Sequence, residues 1–333
     1  MYIVCSAWVL FLSSLRIGGL DSVTGQSSLI RDLKDIYRIY RVNYAVELQL
    51  DEFNLYMQLN EPESHVNAYL QKCISDCENL KKTFLNDEEV KKRMTSYLNS
   101  AAEQFRVMAD SGMSSDAFKS EYDRYQVSLE AYWKYIHTRF PAEKYTKISE
   151  KEYWKKIDKK NFRKARTYKD VEKYKFEDPD RSMKILKSLV NDTKDFQEQS
   201  IYKIELADFY VRLDGYLGQG IDGQTEALRE YRSIIDSNIY TLYSYEAWLK
   251  WRAVSQRTHG LSTSSDIPNN EYDELREQVA ATYLKHIQSH EEDQMAINQF
   301  LVVASHGPIK RYGEYPYGNQ ATIEFHQLFD QKK

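Results

Sequence analysis

The sequence predicts an all-α protein, an antiparallel helix bundle followed by stacked helical hairpins of the α-solenoid type. Glycine is missing between Gly25 and Gly112 and again between Gly112 and Gly215, and only three prolines precede residue 268. Because strand folds need frequent turns, which favour Gly and Pro, long stretches without either are typical of helices. Apolar residues also recur at three- and four-residue spacing through these stretches, which is the helical period.

Composition narrows the class of protein further. The chain has 333 residues, of which 42% are hydrophobic and 29% charged, and this balance excludes both a disordered chain and a multi-span membrane protein. The net charge of −4 gives the whole chain no electrostatic footprint for nucleic acid, so no nucleic-acid partner is expected. Cys73 and Cys77 lie four residues apart on a predicted helix and are expected to be buried free thiols.

The N-terminal segment, residues 1–20, differs from the rest of the chain. Ile3 to Leu12 is almost wholly apolar and has the length of the hydrophobic region of a signal peptide. It is too short to span a bilayer unless Arg16 is tolerated, since a span needs roughly 20 apolar residues. We expect an export signal or membrane anchor that contacts the membrane, and hence a periplasmic, cell-surface or membrane-anchored protein. The alternative is a buried N-terminal helix or strand of the globular fold.

Residues 26–140 are predicted to form the helix bundle. Pro62 separates the first two helices, Asp87 begins the third, Gly112 closes it, and Phe140-Pro141 ends the fourth. The apolar stripes expected to form the core are Leu29, Leu33, Ile36, Tyr40, Tyr44, Leu48, Leu55 and Leu59; Val66, Tyr69, Leu70, Cys73, Ile74, Cys77 and Leu80; Val90, Met94, Tyr97, Leu98, Ala101 and Phe105; and Phe118, Tyr122, Tyr125, Leu129, Tyr132 and Trp133. Long helices joined by short loops favour antiparallel neighbours.

Residues 141–177 are interpreted as a basic connector. Between Lys151 and Lys175 there are eleven Lys or Arg and four acids, a local net charge of +7, with aromatic residues interleaved. Such a segment can hold an anionic membrane surface or an acidic polysaccharide. The alternative is a solvated connector balanced by acids elsewhere. The residues predicted to bind an anion are Lys155, Lys156, Lys159, Lys160, Arg163, Lys164 and Arg166.

Residues 178–333 are predicted to form helical hairpins in tandem. Asp178-Pro179 is a capping residue followed by proline at the first helical position. Equivalent apolar positions recur, with Leu186 and Leu228 separated by 42 residues and Ala207 and Ala247 by 40. A spacing near 40 residues is in the range of two-helix solenoid units.

Residues 178–256 resemble the tetratricopeptide-like helical-repeat class. Ala207 and Tyr210 are placed as in the second helix of that repeat motif. The Trp-Leu-Gly-Tyr pattern of the repeat's first helix is not present, and the repeat is longer than the usual 34 residues. The resemblance implies an architecture of stacked hairpins and a tendency to bind peptides or proteins.

A non-enzymatic scaffold that binds a protein or peptide partner is therefore the leading hypothesis. Stacked hairpins offer a concave face, and Tyr and Trp combine a large apolar body with a polar tip that suits a binding surface. The alternative, and the more ordinary use of Tyr, is packing at the seams between helices. The aromatic residues expected to line such a groove are Tyr202, Tyr210, Tyr243, Tyr245, Trp248 and Trp251.

Other chemistry has weaker signals. Gly218 to Gly223 fits the G-x-G-x-x-G pattern, but it follows a predicted helix rather than the strand that dinucleotide sites require. His286 and His290 could share one helix face, yet no His-Glu-x-x-His motif accompanies them. No catalytic residue, cofactor or metal is therefore predicted. An exported helical enzyme that acts on glycans through an Asp/Glu pair remains the main alternative function.

Overall fold

The computed structural model of the chain describes residues 27–111, 116–145, 147–157, 166–175, 177–214, 222–258 and 269–305. Within these ranges the regular structure is helical throughout, and none of their residues forms a strand. The predicted all-α class is confirmed, with helices that pack mainly against their neighbours in sequence, as in a stack of helical hairpins. The predicted export segment lies outside the described residues.

The chain divides into two compact units. Unit 1 comprises Met1–Thr146 with Ala304–Lys333, and unit 2 comprises Lys147–Val303. The boundary at Lys147 cuts the predicted connector, so its first residues belong to unit 1 and the remainder to unit 2. The helices of unit 1 are α1 (Ser28–Gln58), α2 (Glu63–Leu80), α3 (Glu88–Ser111), α4 (Asp116–Arg139) and α5 (Ala142–Tyr145).

Helix α1 is buried on every face over residues 33–43, although this stretch includes charged side chains. The Asp35 carboxylate accepts hydrogen bonds from the backbone amides of Asn86 and Asp87, at 2.9 and 3.1 Å, and so fixes the turn that leads into α3. Near its start, Asp32 accepts hydrogen bonds from Lys144 at 2.7 Å and Tyr145 at 2.8 Å. These charged groups are tolerated in the interior because each has a partner.

Tyrosine rings fill the seam between α3 and α4. Tyr97 and Tyr132 stack with ring centroids 5.0 Å apart, and Tyr125 lies 6.0 Å from Tyr97. All three side chains are buried. The Tyr97 hydroxyl donates to the Asn43 side chain of α1 at 3.3 Å, which joins this seam to the first helix.

Unit 2 contains the basic segment and the hairpins. Its helices are α6 (Glu150–Ile157), α7 (Arg166–Tyr174), α8 (Pro179–Asp192), α9 (Phe196–Arg212), α10 (Gly223–Asp236), α11 (Ser244–Thr258), α12 (Asn269–Ser289) and α13 (Gln294–Ser305). Helices α8 and α9, α9 and α10, and α10 and α11 pack as successive neighbours. Asp178, Asp195 and Asp222 cap α8, α9 and α10, each accepting from a first-turn amide.

The described helices of the basic segment pack on the hairpins. The Tyr153 side chain of α6 is buried and accepts a hydrogen bond from Gln299 at 2.8 Å. Tyr168 of α7 donates to Glu205 at 2.9 Å, and Ser182 of α8 donates to the Val171 carbonyl at 2.9 Å. These parts of the basic segment are therefore integral to unit 2.

Candidate functional site

The six aromatic side chains predicted to line a binding groove are all buried. Tyr202, Tyr210, Tyr243, Tyr245, Trp248 and Trp251 are each exposed by 4% or less. The expectation that their rings lie along an open groove is therefore wrong, because each ring is packed inside unit 2. Seam packing, the other use of tyrosine that the sequence allowed, is the use observed.

Specific contacts hold several of these rings in the core. Trp248 stacks on Tyr272 with centroids 4.7 Å apart and donates its indole N–H to the Tyr272 carbonyl at 3.2 Å. The Tyr245 amide donates to the Tyr283 hydroxyl at 3.1 Å, and the Tyr202 hydroxyl donates to Glu198 at 2.8 Å. The polar tips of Trp248 and Tyr202 are thus satisfied within the fold, which gives these two rings a structural role.

The predicted anion-binding residues are only partly described. Lys155 and Lys156 are exposed on α6, and Lys156 lies 3.8 Å from Glu152. Lys151, four residues before Lys155, is exposed on the same helix. In the described ranges no acidic side chain lies within 4.0 Å of the Lys151 or Lys155 ammonium. Lys159, Lys160, Arg163, Lys164 and the side chain of Arg166 lie outside the described part of the structure.

His286 and His290 are close together but are not arranged to chelate a metal. Their rings stack face to face at 4.3 Å, and Tyr240 stacks on the other side of His286 at 3.7 Å. The His286 Nε2 atom lies 3.0 Å from the Asp293 carboxylate, which also caps α13. Parallel rings direct their nitrogens side by side instead of towards one point. Among the described residues no group of three or more His, Cys, Asp or Glu side chains could hold a metal ion.

The glycine-rich stretch lies mostly outside the described residues. Its last residue, Gly223, begins α10, and Asp222 before it accepts from the amides of Gln224 and Thr225 at 3.0 and 3.2 Å. The carboxylate therefore already occupies the helix N-terminus.

The densest group of buried charge in unit 2 joins α9, α10 and α11. The Lys250 ammonium lies 2.6 Å from one oxygen of Asp208 and 3.1 Å from Glu246. Tyr231 donates to the other Asp208 oxygen at 2.6 Å. The side chains of Lys250 and Asp208 are each only 9% exposed. We call Asp208, Tyr231, Glu246 and Lys250 the Lys250 cluster.

The electrostatics of the Lys250 cluster favour a structural role. Burial alone would lower the pKa of Lys250, but the Asp208 and Glu246 carboxylates outweigh it and raise the pKa above the ordinary lysine value. Burial and the neighbouring Asp208 charge likewise raise the pKa of Tyr231. A lysine held charged is a poor base or nucleophile, and a carboxylate that accepts from it is a poor general acid. The cluster therefore matches a buried ion network better than a glycosidase pair.

An open groove runs along the surface between α3 and α4. It has a volume of about 510 Å³ and is lined by Arg93, Ser96, Asp123, Arg124, Val127, Ser128, Ala131 and Tyr132. The small side chains of Ser96, Ser128 and Ala131 leave space where the two helices meet. Val127 also lines the groove, with 67% of its surface exposed. We call this the α3–α4 groove.

The two arginines mark opposite ends of the α3–α4 groove. Arg93 of α3 covers the Tyr135 ring at 5.0 Å and pairs with Glu89 at 2.9 Å. Arg124 of α4 pairs with Glu121 at 3.0 Å and is 73% exposed. Tyr135 and Arg124 are eleven residues apart on α4, which is about 16 Å along the helix axis. Each guanidinium has five N–H donors, so one pairing leaves further donors for a ligand.

One of the residues that line the groove, Tyr132, has a buried hydroxyl. Tyr132 is buried, and its hydroxyl has no hydrogen-bond partner in the described part of the chain. Burial raises the pKa of Tyr132, so the hydroxyl stays protonated. A buried hydroxyl without a partner normally incurs a free-energy penalty.

Sequence reasoning assigned α4 only its inward stripe and missed the groove. A signal was present, because Arg124, Ser128 and Ala131 follow each other at four- and three-residue spacing and therefore share a helix face. Whether such a face borders a groove depends on the side chains of α3 that lie opposite it. The sequence of α4 alone does not indicate which side chains those are.

No known relative assists the assignment. The chain matches no family model, no curated protein and no solved structure. In the described ranges no helix is both long enough and apolar enough to cross a membrane.

Proposed function

We propose that this chain is a non-enzymatic helical scaffold that binds a protein or peptide partner through the α3–α4 groove. The observation that carries the proposal is the open groove itself, with an exposed Val127 between an arginine at each end. A partly apolar hollow with a few convergent polar groups is the usual form of a binding site.

The contrast with the Lys250 cluster supports a binding function over an enzymatic one. In that cluster the titratable groups are buried and satisfy each other, whereas in the α3–α4 groove the polar groups are exposed at the edges. The groove holds one carboxylate, Asp123, and so lacks the pair that a glycan hydrolase would require.

The experiment is a selection of random short peptides displayed on phage, run on the wild-type protein and on Ala131→Trp in parallel. Ala131 is an exposed lining residue, and a tryptophan there would fill the groove without entering the core. We expect a family of peptides that is enriched on the wild type and lost on Ala131→Trp.

The matched control is Ala117→Trp. Ala117 is also exposed on α4 but lies fourteen residues earlier, about 21 Å along the axis, and does not line the groove. It should retain the wild-type enrichment. Selection of no specific family, or equal loss in both variants, would reject the groove as the partner site.

A second candidate function is binding of a soluble polyanion, and one observation favours it. Lys151 and Lys155 are exposed four residues apart on α6, and in the described ranges no acidic side chain lies within 4.0 Å of either ammonium. Like charges at this spacing are mutually unfavourable without a counter-ion. Lys151→Glu with Lys155→Glu should elute from heparin at lower salt than the wild type, while Lys184→Glu with Lys194→Glu, an equal charge change at exposed lysines outside α6, should change elution less. Unchanged elution of the double variant would remove α6 from this function.

Export remains part of the proposal. It is supported by the apolar run from Ile3 to Leu12. Cell fractionation combined with N-terminal sequencing of the mature protein tests it, since a cleaved signal would remove the first residues. A full-length protein in the cytoplasm would contradict it. The likeness to tetratricopeptide-like repeats likewise remains a prediction.

A further inference from the structure

We infer that the occupant of the α3–α4 groove is an amphipathic helix of a partner protein that carries a carboxylate near each end of its apolar stripe. This inference rests on the proposed function and specifies its partner. It is argued from the length of the groove, the chemistry of its walls and the charges at its ends.

The walls favour a helix over an extended peptide. An extended segment would need hydrogen-bond partners for its backbone, and apart from the charged ends and Asp123 the lining offers only Ser96 and Ser128, because the Tyr132 hydroxyl is buried. A helix satisfies its own backbone and presents apolar side chains at three- and four-residue spacing. The small residues along the groove allow a third helix to approach closely.

The dimensions agree with this arrangement. The distance of about 16 Å along α4 between the two ends corresponds to about three helical turns, or about eleven residues of a parallel or antiparallel helix. The exposed Val127 lies between these ends, three residues from Arg124 and eight from Tyr135, and provides an apolar contact. Two apolar side chains from successive turns of the incoming helix would flank it.

The charges at the ends favour acidic residues in the partner. Arg93 and Arg124 project at opposite ends from different helices, and each retains donors beyond its contact with Glu89 or Glu121. Asp123 is the only acidic residue of the lining. Because a guanidinium pairs well with a carboxylate, one acidic side chain near each end of the incoming helix is the complementary pattern.

The test uses the peptides selected on the wild-type protein. Peptides that depend on the groove should carry an apolar stripe at helical spacing with Asp or Glu about three turns apart. Changing both acids to their amides should weaken binding to the wild type by about twofold to thirtyfold, the range that two exposed ion pairs provide. The same change should have little effect on binding to Arg93→Gln with Arg124→Gln.

Controls distinguish a failure of this inference from a failure of the proposed function. Arg106→Gln, which alters an exposed arginine of α3 outside the groove, should retain the preference for the acidic peptide. If peptides are selected but their amide forms bind equally well, or if proline in the middle of the peptide leaves affinity unchanged, this inference is overturned while the proposed function stands. If no groove-dependent peptide is selected, the proposed function itself fails.

Discussion

Replacement of Lys250 by methionine is expected to destabilise unit 2 by about 3–5 kcal/mol. The lysine contacts Asp208 at 2.6 Å and Glu246 at 3.1 Å, and a hydrogen bond to a charged group contributes about 1.5–3 kcal/mol. Two such contacts give about 3–6 kcal/mol, which agrees with the range of about 3–5 kcal/mol seen when one partner of a buried ion pair is removed. Most of the loss arises because two buried carboxylates remain without their cation.

Guanidinium chloride unfolding followed by tryptophan fluorescence measures this loss, because Trp248 and Trp251 are buried on the same helix as Lys250. Lys184→Met is the matched control, since it removes an exposed lysine of α8 and should change stability by less than about 0.5 kcal/mol. A loss below about 1 kcal/mol for Lys250→Met would refute the reasoning, because it would mean that the contacts to Asp208 and Glu246 do not stabilise the fold.

The pH dependence gives an independent check. The folded pKa of Lys250 is raised, so its contribution is complete below the unfolded value of about 10.4 and decreases as pH rises through the folded value. The stability difference between wild type and Lys250→Met should therefore narrow above pH 10.4 or so. It should also narrow below neutral pH, since buried carboxylates without a cation gain protons more readily than exposed ones.

Three further predictions concern caps and buried groups. Asp222→Ala should lower the free energy of unfolding by about 0.5–2 kcal/mol in a denaturant titration, while Asp222→Asn stays near wild type. Because the hydrogen bonds from Thr225 lower the pKa of Asp222, the stabilisation by its carboxylate should be lost as pH falls through that lowered value. Asp35→Ala should cost about 1–3 kcal/mol and speed amide exchange in the turn before α3, because two backbone amides lose their acceptor; equal exchange would contradict this. Burial raises the pKa of Cys77 to about 12 and also raises that of Cys73, so both thiols should resist iodoacetamide in the native protein and react after unfolding. Rapid labelling of either cysteine in the native protein, mapped by mass spectrometry, would show that the helix is not buried there.

The fold class could be predicted because turn chemistry and helical period are local properties. Long stretches without glycine correspond to the described helices, and the break predicted at Pro62 falls between α1 and α2. The inward stripe of α3, from Val90 to Phe105, is buried as expected. The period alone could not reveal that residues 33–43 of α1 are buried on all faces, because its outer residues are charged and charged faces normally contact water.

The candidate site was less accessible to sequence reasoning. Tyrosine suits a buried seam and a binding surface for the same physical reason, so the rings of Tyr202 and Tyr245 could not be assigned to either before the helices were packed. The Lys250 cluster draws its members from three helices, with Asp208 and Lys250 separated by 42 residues. Nothing in the local pattern around either residue indicates the other.

The long-range contacts of helix α1 also affect when unit 1 can fold during its synthesis. Helix α1 is synthesised before the other helices of unit 1, yet Asp35 bonds to residues 51 and 52 positions later, Asn43 to one 54 positions later, and Asp32 to residues 112 and 113 positions later. The hydrogen-bond partners of Asp35 and Asn43 are present once α3 has been synthesised, whereas those of Asp32 follow only with α5. The full set of long-range contacts of α1 therefore forms only after α5 has been added, and until then transiently exposed apolar surface makes the nascent chain prone to aggregation.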